Sequence, residues 1–344
     1  MASLLPPPRL AATGVGGLPH SDPEVACRAV LESFPEVPYA PTLPNRGPRE
    51  AIVFNDAEYL PGAVFEGDKL YANTAADHAG QMEQIMLDYM EGNFAAYGAS
   101  EEYNSGFLAM LECDLSGALF AKAQVTGPLT FGMQVVDQKK RPLHYDPEYA
   151  DLLNKMIALR ARWYEERLTA RTGAPHTLVV LNEPYLAAFG SSVIPVDRDL
   201  VAAGFEETAA LLEGGIGVHC CSNTDWAFVL GMDIGFVSLD AYRYAREFLL
   251  YRDAITRFME AGGVVAWGIV PAEYDVYEGE TPDSLYTRMS AIRDDVCSWL
   301  DPELFARQSM ITPTCGIRFA DERGAGAIMR AAADLSRRAR EEWA

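Results

Sequence analysis

The 344 residues are 49% hydrophobic and 22% charged, the composition of a globular chain with room for one large domain or two ordinary ones. Acidic residues outnumber basic ones 49 to 28, a formal net charge of −21, which argues against nucleic acid or anionic membrane as partners because both need a basic footprint. Six cysteines are too sparse for a disulfide scaffold and point to metal-binding or structural use.

The opening stretch "MASLLPPPRLAATG" has no basic region ahead of an apolar core of signal-peptide length, and no later run is apolar for long enough to cross a bilayer. Both features read as a cytoplasmic protein. "LAATGVGGLP" is the first candidate strand. Its Gly14–Gly17 run lacks the third glycine of a dinucleotide fingerprint and reads as a tight turn with exposed backbone amides. "DPEVACRAVLESF" then reads as a helix, with Asp22 as cap and Pro23 at the first helical position. The strand "PYAPTLP" follows. Residues from about 45 to 80 are irregular and polar and read as an excursion over a barrel mouth.

"FAKAQVTGP" is the third candidate strand. A long helix starts at Asp146 and Pro147, and its "MIALRARWYEER" segment reads as core plus solvated face. The strands "HTLVVLNEP", "GIGVHCC", "IGFVSLD", "VVAWGIVP" and "MITPTCG" follow, with a helix opening at Thr281 and Pro282 and another at "GAGAIMRAAADLSRRAREEW". Strand then helix, eight times over, predicts a single-domain α/β (β/α)8 barrel over residues 1–344. In such barrels the chemistry sits at the carboxyl ends of the strands.

Polar residues gather at those ends. Side chains alternate faces along a strand, so His219 and Cys221 share one face of "GIGVHCC" while Cys220 points to the other. Asp240 ends the sixth run and Cys315 the eighth. His219, Cys221, Asp240 and Cys315 make a nitrogen, sulfur and oxygen set suited to tetrahedral zinc. Gly17, His20, Asn182, Glu183, Trp226 and Tyr277 are the candidate substrate-facing residues. For His20 a loop hydrogen bond is an equal reading, and Trp226 reads either as site lining or as helix packing. Cys27, Cys113, Cys220 and Cys297 read as buried small hydrophobes.

The stretches "GVGGLPHSDP", "QVTGPLTFG", "LNEP", "VHCC", "GIVPAEYDVY" and "TPTCG" span almost the whole chain. In order and content they resemble the catalytic half of cobalamin-independent methionine synthase, within the uroporphyrinogen-decarboxylase-like barrels. The resemblance implies methyl transfer to a thiol at a zinc held by His219, Cys221 and Cys315, with the family's glutamate ligand falling at or near Asp240. His219, Cys221 and Cys315 would then be the catalytic set. The departures change the expected substrates. The resemblance implies homocysteine or a related thiol as acceptor, but the family has serine at Gly17 and aspartate at Asn182, both on the homocysteine side, so weaker use of homocysteine, or a different thiol, is expected. It has a histidine at Tyr277, the acid for a folate leaving group, and it carries an extra N-terminal half.

Loss of that acid and that half points to a methylated corrinoid, methylcobalamin or a corrinoid protein, as donor. The expected activity is therefore a zinc-dependent corrinoid:thiol S-methyltransferase of the methionine-biosynthesis kind, working with a small thiol and a corrinoid partner. Two other readings stand beside it. A uroporphyrinogen decarboxylase-like lyase needs basic residues near the first strand, and "TGVGGLPHSDP" offers none. A non-catalytic zinc or corrinoid-binding module needs a closed four-ligand site.

Overall fold

Eight apolar runs become eight parallel strand positions in the computed structural model, which describes residues 5–189 and 194–343. The first four residues of the opening stretch lie outside the described residues. Six strands form a continuous sheet in the order Ala121–Thr126, Thr177–Asn182, Gly215–Cys220, Phe236–Leu239, Val264–Val270 and Ser309–Pro313. Each neighbouring pair is parallel. Residues 10–17 and 38–42 fill the other two positions. Ala12 bridges Ile311, Tyr39 bridges Lys122 and Gly17 bridges Thr42, all in parallel. The sheet closes as the (β/α)8 barrel that the eight runs predict.

Parallel strands are covered on both faces, which is why they read as continuous apolar runs rather than alternating ones. Leu178, Val180, Phe236, Val264, Ala266 and Met310 fill the interior. Their alternates, Val179, Leu181, Val237 and Val265, pack outward against the helices.

The helix starts follow their capping chemistry. Asp22 accepts from the amides of Glu24 and Val25 ahead of Pro23–Ser33, and Asp146 does the same for Glu148 and Tyr149 ahead of Pro147–Thr172. Thr281 and Ser284 form a reciprocal capping box at Pro282–Cys297. Gly173 ends the long helix in the left-handed region at φ 71°. The last helix, Glu322–Trp343, clamps the first strand: Ser336 donates to the Leu10 carbonyl at 2.6 Å, and Arg340 donates to the carbonyls of Arg9 and Pro8 while pairing with Glu36.

The segment after residue 45 is more ordered than its polar sequence suggests. It holds short 3-10 turns, an antiparallel hairpin of Ala63–Glu66 with Lys69–Ala72, and then the helix Ala79–Glu91. Its anchor is ionic. Asp56 accepts from the amide of Thr126, at the carboxyl end of a barrel strand, and from Arg160 Nε at 2.8 Å. Arg160 also donates to the Asn55 and Gly98 carbonyls. Asp56 and Arg160 are both fully buried. The long helix therefore lacks the broadly solvated face that its charges suggest, because the excursion, the helix Ala79–Glu91 after it and the helix Arg198–Leu211 cover it.

Candidate metal centre

The barrel register sets the centre. Asn182 is the register partner of His219, and His219 of Ser238. Each lies two residues beyond an interior position, Val180, Gly217 or Phe236, so all three project into the barrel at its carboxyl end. Cys221 continues the row past the strand Gly215–Cys220, and Cys315 follows Ser309–Pro313. One ligand atom each from His219, Cys221 and Cys315 lies within 4.8 Å of the other two.

The donor set fits a metal. Nδ1 of His219 is engaged by Ser238 Oγ at 3.0 Å, and in the tautomer where Nδ1 donates, the ring has its lone pair on Nε2. That nitrogen is buried and has no hydrogen-bond partner among the described residues. A buried polar atom left unpaired costs about 1–3 kcal/mol, and a metal ion removes that cost. The Cys315 thiol bonds to Cys221, which holds the Cys221 thiol below the ordinary range. The same bond, with burial, pushes Cys315 well above it. Zinc takes sulfur at about 2.3 Å and imidazole nitrogen at about 2.0–2.1 Å, so a tetrahedron of such ligands has edges of roughly 3.5–3.8 Å. The observed spread of 4.8 Å accommodates those edges.

Asp240 lies outside this group, although the sequence suggests it as a fourth ligand. One oxygen accepts from the Arg243 amide and the other from the Arg243 guanidinium, both at 2.9 Å. The carboxylate thus caps the helix Ala241–Phe248 and pairs with its first turn. Cys220 points to the outer face, bonded to the Ser222 carbonyl, and burial pushes its thiol up to about 12.

The remaining candidates divide. Asn182 joins the row beside His219. Gly17 faces the turn after Cys315, where Ile317 N–H donates to the Gly17 carbonyl at 2.7 Å. His20 is buried, with Nδ1 unpartnered among the described residues. Burial pulls its pKa below the ordinary imidazole value against the nearby carboxylates of Glu322 and Asp22. Glu183 turns outward, and both its oxygens are taken by the amides of Leu129 and Thr130 and the Thr130 hydroxyl. It caps the helix Pro128–Gln134, whose own cap residue, Gly127, has no side chain to do so. Trp226 is fully buried, its ring edge-on to Phe248 at 5.1 Å. Tyr277 donates to the Ala327 carbonyl of the last helix at 3.3 Å and lines an outer groove with Leu285 and Leu335.

Two positions escaped sequence reasoning. Ser238 orients His219, and its signal was its place two residues before Asp240 on an inward face. Gln124 accepts from the Gly16 amide and donates to Asn182 Oδ1 at 2.6 Å. It sits inside the "QVTGPLTFG" stretch and carries no signal of its own.

No protein-family model matches this chain, and no curated protein matches it. Solved structures do. A B12-independent methionine synthase from Shewanella sp. W3-18-1, in complex with selenomethionine, is similar over 99% of this chain and 97% of its own, with a TM-score of 0.55 and 16% identity. A GH113 β-mannanase from Alicyclobacillus acidocaldarius aligns over 99% of each chain with a TM-score of 0.45 and 10% identity. The first likeness supports the barrel fold. No described helix is long and apolar enough to cross a membrane.

Proposed function

We propose that the chain is a zinc-dependent methyltransferase that moves a methyl group from a methylated corrinoid, free or carried by a partner protein, to a small thiol. The observation that carries this reading is the group of His219, Cys221 and Cys315, with a buried and unpaired Nε2 aimed among two thiols. The fold it shares with a methionine synthase is consistent with it. A zinc ion held there supplies the positive charge that keeps an acceptor sulfur deprotonated at neutral pH.

The chain's own residues do the rest. Ser238 holds the His219 ring through Nδ1, leaving Nε2 toward the thiols. Arg243 keeps Asp240 engaged, which leaves three protein ligands and the fourth coordination position of a tetrahedral zinc for the substrate sulfur. In the transfer the acceptor sulfur forms the new S–CH3 bond, the cobalt–carbon bond breaks, and cobalt keeps the bonding pair. That leaving group needs no proton. This suits a chain in which Tyr277 lies in the outer groove, its hydroxyl on the Ala327 carbonyl, and burial favours neutral His20.

Purified, zinc-loaded protein mixed with methylcobalamin and a thiol tests this. The expected result is a thiol-dependent change in the corrin absorbance together with methylated thiol, and no turnover of methyltetrahydrofolate. Turnover of the folate with no reaction of the corrinoid would overturn the choice of donor. Zinc at one per chain with no thiol chemistry would leave a structural zinc module.

A further inference from the structure

The polarity of Asn182 is settled by a hydrogen-bond chain anchored on backbone. The Gly16 N–H can only donate, and it donates to Gln124 Oε1. The Gln124 amide is therefore fixed with Nε2 toward Asn182, and it donates to Asn182 Oδ1 at 2.6 Å. An amide's orientation is ordinarily ambiguous, but a chain that begins at a main-chain donor removes the ambiguity. Asn182 consequently presents its NH2, with no partner for that nitrogen among the described residues. It does so beside His219, its register partner.

The surrounding charges agree. An ammonium group needs an acceptor, and the strand-end carboxylates are occupied. Glu183 is held by two amides and a hydroxyl. Asp240 is held by Arg243, and Asp56 by Arg160 and the Thr126 amide. Arg318, by contrast, makes no ion pair among the described residues. It lies three residues beyond Cys315, and its Cβ is 3.5 Å from where a side chain on Gly17 would begin.

We propose that the acceptor thiol carries an acid group, a carboxylate or sulfonate, that docks on the Asn182 amide nitrogen, and that Asn182 does not hold an ammonium. Gln124 is the positioning residue that sets this preference. The inference rests on the thiol-methylating reading of the metal centre.

The test uses 3-mercaptopropionate, 2-mercaptoethanol and cysteamine, which are acidic, neutral and basic thiols of similar length. Binding to the cobalt(II)-substituted full chain is read from the sulfur-to-cobalt absorption band. Glutamate at position 124 has no proton to give Asn182, so in Gln124→Glu the amide turns and presents oxygen. The ratio of 3-mercaptopropionate to cysteamine affinity should fall at least about tenfold from the wild type to this variant, a ratio that cancels the different acidities of the thiols. Asn182→Asp, which removes both donors, should lower the ratio in the same direction at full metal content, so the proposal stays testable where Gln124→Glu does not fold. An unchanged ratio in the metal-replete variants, or a ratio that rises in them, overturns the inference alone. A cobalt band that responds to none of the three thiols overturns the function proposed for the site and this inference with it.

Discussion

Ser238 and His219 are joined twice: their Cα atoms are register partners on adjacent strands, and Oγ lies 3.0 Å from Nδ1. The imidazole therefore meets the two thiols with its ring orientation held and Nδ1 already engaged. Ser238→Ala should keep the fold and weaken zinc binding by about 10–100-fold, the usual cost of losing such a partner. A competition titration with a chromophoric chelator measures it.

The ligand assignment separates neighbouring cysteines. Cys221→Ala and Cys315→Ala should each lose stoichiometric zinc, and Cys220→Ala should keep it, because Cys220 faces the opposite side of the strand and bonds to Ser222. Asp240→Asn should also retain the metal, since its carboxylate is spent on Arg243. Elemental analysis of the four purified variants decides, and loss of zinc from Asp240→Asn alone would return that residue to the ligand set.

Glu183 makes stability depend on pH. Burial pushes its carboxyl up to about 7 from 4.5, while its three hydrogen bonds pull the other way. Between those values the folded state holds more protons than the unfolded state. The stabilisation is thus full below about pH 4.5 and is lost as pH rises through 7. A shift of that size corresponds to roughly 3 kcal/mol at most. Chemical denaturation at steps between pH 5 and 8 should show a smaller decline in Glu183→Gln than in the wild type. Gly127→Ala should destabilise at every pH by more than about 2 kcal/mol, because its new methyl would sit 2.1 Å from a Glu183 oxygen.

Asp56 and Arg160 form the ion pair that fixes the excursion to the long helix. Removing one partner leaves an uncompensated buried charge, which typically costs about 3–5 kcal/mol. Arg160→Met should lower the denaturation midpoint sharply. Arg160→Met combined with Asp56→Leu should recover part of the loss, and a double-mutant cycle gives the coupling.

The barrel was legible because each of its strands is an apolar run closed by a polar or glycine-rich end, and because Asp-Pro and Thr-Pro pairs mark helix starts. That His219 and Cys221 share a face was legible through the period of two, and the structure brings Cys315 to them. The same period separates Asn182 from Glu183: neighbours on a strand face opposite ways, and only the first reaches the barrel mouth. Trp226 and Tyr277 misled for a related reason. Proximity in sequence to a strand end says nothing about direction, and their rings are used to pack helices. The order within residues 45–80 was hidden because its anchor, Asp56 to Arg160, spans 104 residues and leaves no local pattern.

The clamp of the last helix on the first strand has a consequence for assembly. The strand at residues 10–17 finds its outer neighbour only at Ser309–Pro313, and its carbonyls at Arg9 and Leu10 wait for Arg340 and Ser336. A nascent chain must carry an open sheet edge until residues 309–340 have been made, and contacts so distant in sequence form slowly. Cys315 belongs to the same late segment. The second thiol of the candidate centre and the final seam of the barrel arrive together, so a metal bound by His219, Cys221 and Cys315 would be taken up only as the barrel closes.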